Sequence, residues 1–205
     1  MTAYTKRLQK VTAVLCTTAL LAGCAAGTSD NTEPAATTAP VKAITIEPTA
    51  VYQTMNGFGA SACWWSQEVG NWENAKDILS LLYDENSGIG LNIYRYNLGA
   101  GSKDDATITD PDRRAEAFID KDGSYHWERD AAAQNALALA KSMNKDLRVT
   151  LFSNSAPVFY TTNGKAYCDY LPDDEKYVTN LEPERYADFA KYSIACAKHF
   201  TEAGY

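Results

Sequence analysis

The sequence predicts an α/β fold, the N-terminal part of a (β/α)8 barrel (TIM barrel) with about three βα units. Three observations predict it. Strand-like apolar runs alternate with runs of helical period, in the order strand–helix–strand–helix–strand–helix. The loops before the strands are short, whereas those after them are long, polar and aromatic, and in such barrels the loops at the C-terminal strand ends build the active site. A closed barrel needs ~250 residues, more than residues 42–205 supply. The chain stops at Ala203-Gly204-Tyr205, where a fourth strand is expected, so it reads as the N-terminal piece of a longer protein, truncated before strand 4. A piece of this kind exposes strand edges. A doubly wound sheet follows a similar loop rule, but no Gly-x-Gly-x-x-Gly lies between a strand and a helix, so a nucleotide-binding reading has little support.

Residues 1–23 read as a lipoprotein signal peptide. Lys6, Arg7 and Lys10 form a basic n-region, and Val11 to Leu21 is an apolar stretch too short to span a bilayer permanently. Leu21-Ala22-Gly23-Cys24 resembles the bacterial lipobox, in which the cysteine is diacylated and becomes the mature N-terminus. Residues 24–41 then hold the lipidated Cys24 and a small, polar, Pro-bearing tether with no aromatic residue. The expected protein is exported and held at the bacterial cell surface, its membrane partner reached through the anchor at Cys24.

The globular part, 42–205, opens with a β-prone run at Ala43 to Ile46 and a second candidate strand at Val51 to Gln53, leading into Gly57. A helix follows at about Asn74 to Tyr83, with Ala75, Ile78, Leu79 and Leu82 on one face. Gly88-Ile89-Gly90 breaks the chain before a strand at Leu91 to Leu98. Residues 102–124 are charged and irregular, with turn signals at Asp110-Pro111 and Asp122-Gly123. Glu128 to Met143 is the next helix, with Ala133, Leu137, Ala140 and Met143 aligned, and Leu147 to Phe152 is the third strand. A Tyr-rich loop runs to Asn180. The last helix spans Pro183 to about Ala203, with Pro183 in its first turn and Gly204 past its end. Tyr186, Phe189, Ala190, Ser193, Ala197 and Phe200 mark its expected buried side.

Residues 57–65 read Gly-Phe-Gly-Ala-Ser-Ala-Cys-Trp-Trp, small residues that end on two indoles. Small residues let a ligand approach the backbone, and indoles offer flat apolar faces with a polar N–H handle. Sugar rings suit that combination, since their C–H faces stack on aromatics and their hydroxyls take hydrogen bonds. Adjacent residues point in different directions, so at least one of Trp64 and Trp65 faces something other than the core.

Three segments fall at strand C-terminal ends: 59–65, 95–101 and 153–160. The stretches from Asn56 to Trp65, from Leu91 to Gly101 and from Phe152 to Pro157 resemble glycoside hydrolase family 30, most closely its endo-β-1,6-galactanase-like branch. The resemblance implies a retaining glycosidase on a (β/α)8 barrel with a β-sandwich side domain, to which the strand at Ala43 to Ile46 would belong. Its acid/base and nucleophile are Glu residues at the ends of the fourth and seventh strands, both expected beyond residue 205. Glu182-Pro183 is preceded by Leu181 where the family has Asn, and it reads as a helix start; Glu47-Pro48 lies outside the barrel. This stretch alone is therefore expected to be inactive. Arg95 matches an Arg that hydrogen-bonds the family's nucleophile; a cation there keeps a carboxylate ionised. Ser61, Trp64, Trp65, Asn97, Asn154, Ser155 and Tyr160 are the expected substrate-binding residues. Tyr160 departs from the Trp common after this Pro in relatives. Asp104 and Asp105 read as a solvated loop.

The leader carries three of the 19 basic residues and none of the 26 acidic ones, so the mature chain is more acidic than the whole, whose net charge is −7. That argues against nucleic acid and is compatible with a neutral polysaccharide or oligosaccharide partner. Cys63, Cys168 and Cys196 match no zinc spacing; one disulfide with a free thiol, or three thiols, both fit. His126 and His199 are the only histidines, which makes a Ser-His-Asp site or a histidine-rich metal site improbable. No metal or organic cofactor is expected. The competing reading is a non-catalytic glycan-binding surface lipoprotein, with a Tyr-mediated protein binder behind it.

Overall fold

In the computed structural model, residues 44–205 are described; the leader, Cys24 and the tether lie outside them. The described residues divide into a short segment ending at Val51 and a compact unit, Tyr52–Tyr205.

The segment at 44–51 has no strand; its regular feature is a turn in which the Ala50 amide donates to the Glu47 carbonyl. At 44–46 and 51–53 the β-prone runs therefore differ from expectation, Ala43 lying outside the described residues. A β-ladder needs a neighbour to take its amides, and Ile44, Ile46, Val51 and Tyr52 are all exposed. The first strand, β1 (Gly59–Ser61), lies further along, where Phe58 already exchanges bonds with the next strand. The Phe58 amide donates to the Asn92 side-chain oxygen, and the Phe58 carbonyl accepts from the amides of Asn92 and Ile93.

After β1 come α1 (Ser66–Val69), a short turn of helix, and α2 (Ala75–Tyr83). The second strand is β2 (Ile93–Leu98), followed after a long excursion by α3 (Ala131–Met143) and β3 (Arg148–Ser153). A small hairpin, β4 (Tyr170–Leu171) with β5 (Lys176–Tyr177), interrupts the next loop, and α4 (Tyr186–Glu202) ends the chain. Strands β1, β2 and β3 form one parallel sheet in that order, with Ser61 beside Arg95 and Asn97 beside Phe152. Parallel pairing joined by helical crossovers is the βα repeat that the alternation predicts.

Strand β2 sets the layers. Tyr94, Tyr96 and Leu98 point one way and are buried, with Tyr94 against Tyr83 of α2 and Tyr96 against Phe200 of α4. Arg95 and Asn97 point to the other face, towards the ends of β1 and β3. The expected faces of α2 and α3 are borne out at Ala75, Leu79, Ala133, Leu137 and Ala140. On α4 the buried face is rotated: Tyr192, Cys196 and Phe200 are buried, whereas Tyr186, Ala190 and Ala197 are exposed. The reason lies in the 115–130 excursion. Its Phe118 ring packs on Phe200 and its amide donates to the Tyr192 hydroxyl, so α4 turns that side inwards.

Helix α3 starts later than the expected Glu128 because Asp130 has left-handed backbone, φ 53°. Its carboxylate is buried at the head of α3 and accepts the Tyr96 hydroxyl at 2.6 Å. Burial pushes this carboxyl up to about 7 and the Glu116 charge adds to the rise, against the pull of the Tyr96 hydrogen bond and of Lys103. Between the usual carboxylate range and about pH 7 the unfolded chain ionises here while the folded one resists. Asp130 thus favours folding most at acid pH, and that contribution is lost as pH rises through 7. Asp130→Asn keeps an acceptor for Tyr96 and a residue that tolerates left-handed backbone. Thermal melts should show the variant gaining stability over the wild type progressively from pH 5 to pH 8; a constant difference would contradict the assignment.

Candidate functional site

The parallel register brings the C-terminal ends of β1, β2 and β3 side by side, and there the loops enclose an open cleft of about 1050 Å³. Its floor is made by Asn97 to Ala100 and Ser153 to Ala156, and Trp64 forms one wall. The excursion after β2 supplies Thr107 to Asp110 and Arg113, and the loop after β3 supplies Tyr167, Cys168 and residues 179–181. The two loops meet where the Tyr167 hydroxyl donates to Thr107 Oγ1 at 2.9 Å. Gly99 is required at the floor. A Cβ there would lie 2.0 Å from the Glu116 carbonyl oxygen, so only glycine lets the returning excursion lie against the end of β2.

The two tryptophans diverge. Trp64 lines the cleft, with the Arg113 guanidinium 5.3 Å from its ring centre. Trp65 packs on the core beside Tyr94, and its indole N–H donates to the Ser61 carbonyl at 2.9 Å. The expectation that one indole faces away from the core is met by Trp64, and Trp65 sits behind the wall rather than in it. Tyr160 is also placed away from the lining: its ring is buried against Phe159, and Arg185 lies 5.7 Å over it.

Four of the remaining expected residues form a single polar network across the strand ends. Arg95 donates from Nε to Ser61 Oγ at 3.1 Å, and its guanidinium carbon lies 4.0 Å from the centre of the Phe152 ring. Asn154 Nδ2 donates to Asn97 Oδ1 at 3.1 Å. Cys63, which the residue pattern did not single out as a site residue, links the two pairs through its sulfur. Ser155 lies in the cleft floor, its hydroxyl donating to the Ala156 carbonyl. Arg113 and Tyr167 were likewise missed; the polar, aromatic character of the loops after strands was the only signal that pointed to them.

The acidic groups are arranged otherwise. Asp110 is the one carboxylate lining the described cleft, and Arg113 pairs with it at 3.3 Å. Asp105 caps its own turn by accepting from the Thr107 amide, in keeping with a solvated loop. Glu182 precedes the turn Pro183–Arg185 that opens α4, so it is a helix start. Cys63, Cys168 and Cys196 are free thiols, and no helix among the described residues is long and apolar enough to cross a membrane.

Comparison with known proteins adds four findings. The profile of O-glycosyl hydrolase family 30 matches residues 41–205. The chain is 29% identical over 180 residues to an endo-β-1,6-galactanase of Hypocrea rufa, covering 76% of this chain and 36% of that protein. Among solved structures it is similar to a conserved exported protein from Bacteroides fragilis, with TM-score 0.67 and 29% identity over 78% of this chain and 34% of that one. An endo-β-1,6-glucanase shares the fold at TM-score 0.53 and 17% identity, over 80% of this chain and 37% of that one. The chain thus spans about a third of the length of the relatives it matches.

The different settings of the two indoles make a direct prediction. Trp65→Ala should lower the melting temperature clearly, since removing a packed aromatic from a core costs about 3 kcal/mol. Trp64→Ala should change it little, because a cation–π contact at an exposed site contributes ~1 kcal/mol or less. Calorimetry of the two variants checks the difference.

Proposed function

The chain belongs to glycoside hydrolase family 30, and we propose that it forms the substrate-holding side of an exported, retaining glycosidase that cleaves β-1,6-linked galactan. The observation that carries this reading is the alignment of Trp64, Asn97 and Asn154 on one open cleft at the strand ends, with Arg95 joined to the asparagines through Cys63. The name of the Hypocrea rufa relative supports the substrate, and the description of the Bacteroides fragilis relative supports export. Lipidation of Cys24 completes the proposal as a surface-anchored enzyme, with residues 44–46 assigned to a side domain.

The chemistry follows from two carboxyl groups, one ionised and one protonated, acting by double displacement. One attacks the anomeric carbon to form a glycosyl-enzyme while the other protonates the departing sugar oxygen; water then reverses the steps. Both carboxylates are assigned to later strands of the barrel, because Asp110 is held by Arg113 and Glu182 opens a helix. Trp64 stacks a sugar face, and Asn97, Asn154 and Ser155 meet hydroxyls. Arg95, braced by Ser61 and Phe152, donates to the nucleophile and holds it ionised.

Assays on β-1,6-galactan test the reading. The enzyme carrying this domain should release product with retained anomeric configuration, read by NMR, whereas residues 42–205 alone should give no turnover. Arg95→Gln should lower kcat about 100-fold, the scale expected for losing a charge-stabilising donor, and should move the acidic limb of the pH–rate profile upward, since the nucleophile then protonates more readily. Trp64→Ala should raise KM roughly tenfold, a stacking interaction's worth. Binding without turnover by the enzyme would favour the non-catalytic glycan-binding lipoprotein instead.

A further inference from the structure

The polar network at the strand ends has a sulfur at its centre. Cys63 Sγ lies 3.0 Å from Ser61 Oγ, 3.6 Å from Asn154 Nδ2 and 3.8 Å from Arg95 Nη2. These partners come from three different places: β1, the loop after β3, and β2. No other side chain in the network touches all three. The hydrogens can be assigned by counting. Ser61 Oγ already accepts from Arg95 Nε at 3.1 Å and from the Cys63 amide at 3.3 Å. With both lone pairs engaged, its own proton goes to Cys63 Sγ. The Arg95 guanidinium and the Asn154 amide can only donate through these nitrogens. Three donors therefore point at one sulfur and share its two lone pairs, which its large, polarisable shell allows at these lengths.

We propose that Cys63 is a positioning residue, whose sulfur sets the directions of Arg95 and Asn154 and through them the nucleophile's partner and the sugar-facing amides. The inference rests on the role given to Arg95 above. Arg95 has two further restraints, Ser61 at Nε and the Phe152 ring beneath its plane. Neither bonds Nη2 itself, whose one hydrogen-bond partner among the described residues is the thiol. Asn154 Nδ2 is shared between Cys63 Sγ and Asn97 Oδ1, and Asn97 is buried. Loss of the sulfur thus removes the hydrogen bond at Nη2 and leaves the exposed Asn154 amide at the cleft rim held by Asn97 alone. A serine in its place offers an acceptor on a shorter bond. It should hold one donor and not both.

The test uses the enzyme that carries this domain, with β-1,6-galactan as substrate. Cys63→Ala should lower kcat about tenfold with little change in melting temperature, and should shift the acidic limb of the pH–rate profile upward, in the same direction as Arg95→Gln and by less. Cys63→Ser should recover part of both effects. In the Arg95→Gln background, Cys63→Ala should not move the limb further, because the two act on one group. If Arg95→Gln itself leaves the limb in place, the role given to Arg95 fails, and this inference with it. If Arg95→Gln moves the limb and Cys63→Ala does not, the positioning role alone is overturned. Should Cys63→Ala fail to fold, methyl methanethiosulfonate supplies the second measurement. Blocking the thiol should inhibit the wild type reversibly, with recovery in dithiothreitol, and leave Cys63→Ser unaffected. Equal inhibition of both proteins would overturn the proposal.

Discussion

Strand β2 is hydrogen-bonded along both edges and packed on both faces, and the other parts of the structure take their places from it. Its register is parallel, from Ile93 to Arg95 against β1 and from Ile93 to Leu98 against β3. Side chains alternate across a strand, so this one segment serves two layers at once. Tyr94, Tyr96 and Leu98 anchor the helices, while Arg95 and Asn97 reach the cleft face. A slip of one residue would send the guanidinium into the helical layer and the tyrosines into the cleft. Apolar packing on one side thereby holds the polar chemistry of the other in place.

The polar groups are placed with similar economy. On the helical side, Asp130 and Tyr96 satisfy each other where α3 begins. The hydroxyls of Tyr83 and Tyr94 are buried nearby without a partner among the described residues, and burial pushes the Tyr83 phenol up to about 12. On the cleft side the network from Arg95 to Asn97 runs through Ser61, Cys63 and Asn154, and it is open to the cleft at the asparagine end. One network secures a helix start and the other equips a surface for a ligand rich in hydroxyls. Their separation by a single strand means that a change in β2 packing is felt at the cleft within one residue's length.

Much of the fold was legible because its signals are local. Helices α2 and α3 declare themselves by apolar spacing, Asn74 and Gly204 bound their helices as expected, and the glycine-rich run before Trp64 marks the end of β1. What misled were features that depend on partners. The apolar residues at 44–46 and 51–53 look like strands in isolation, yet a strand exists only where another takes its hydrogen bonds. The face of α4 was misjudged by a rotation because the pattern contains both a Tyr186–Phe189 and a Tyr192–Cys196–Phe200 stripe. Only the insertion of Phe118 chooses between them.

The same division holds at the cleft. Sequence by itself determined that small residues lead into two indoles, that Arg95, Asn97, Asn154 and Ser155 stand at strand ends, and that no paired acid motif accompanies them. Those are statements about residue type and spacing along the chain. Tertiary structure alone decided which indole faces the cleft, that Tyr160 is buried away from it, that Arg113 and Tyr167 come in from separate loops, and that Cys63 joins three strand ends. Apart from that of Cys63 with Ser61, the contacts of the network join residues 32 to 91 positions apart, and they are set by the register of the sheet and the return path of its loops. No periodicity in the sequence encodes those distances, because they exist only once the strands lie side by side.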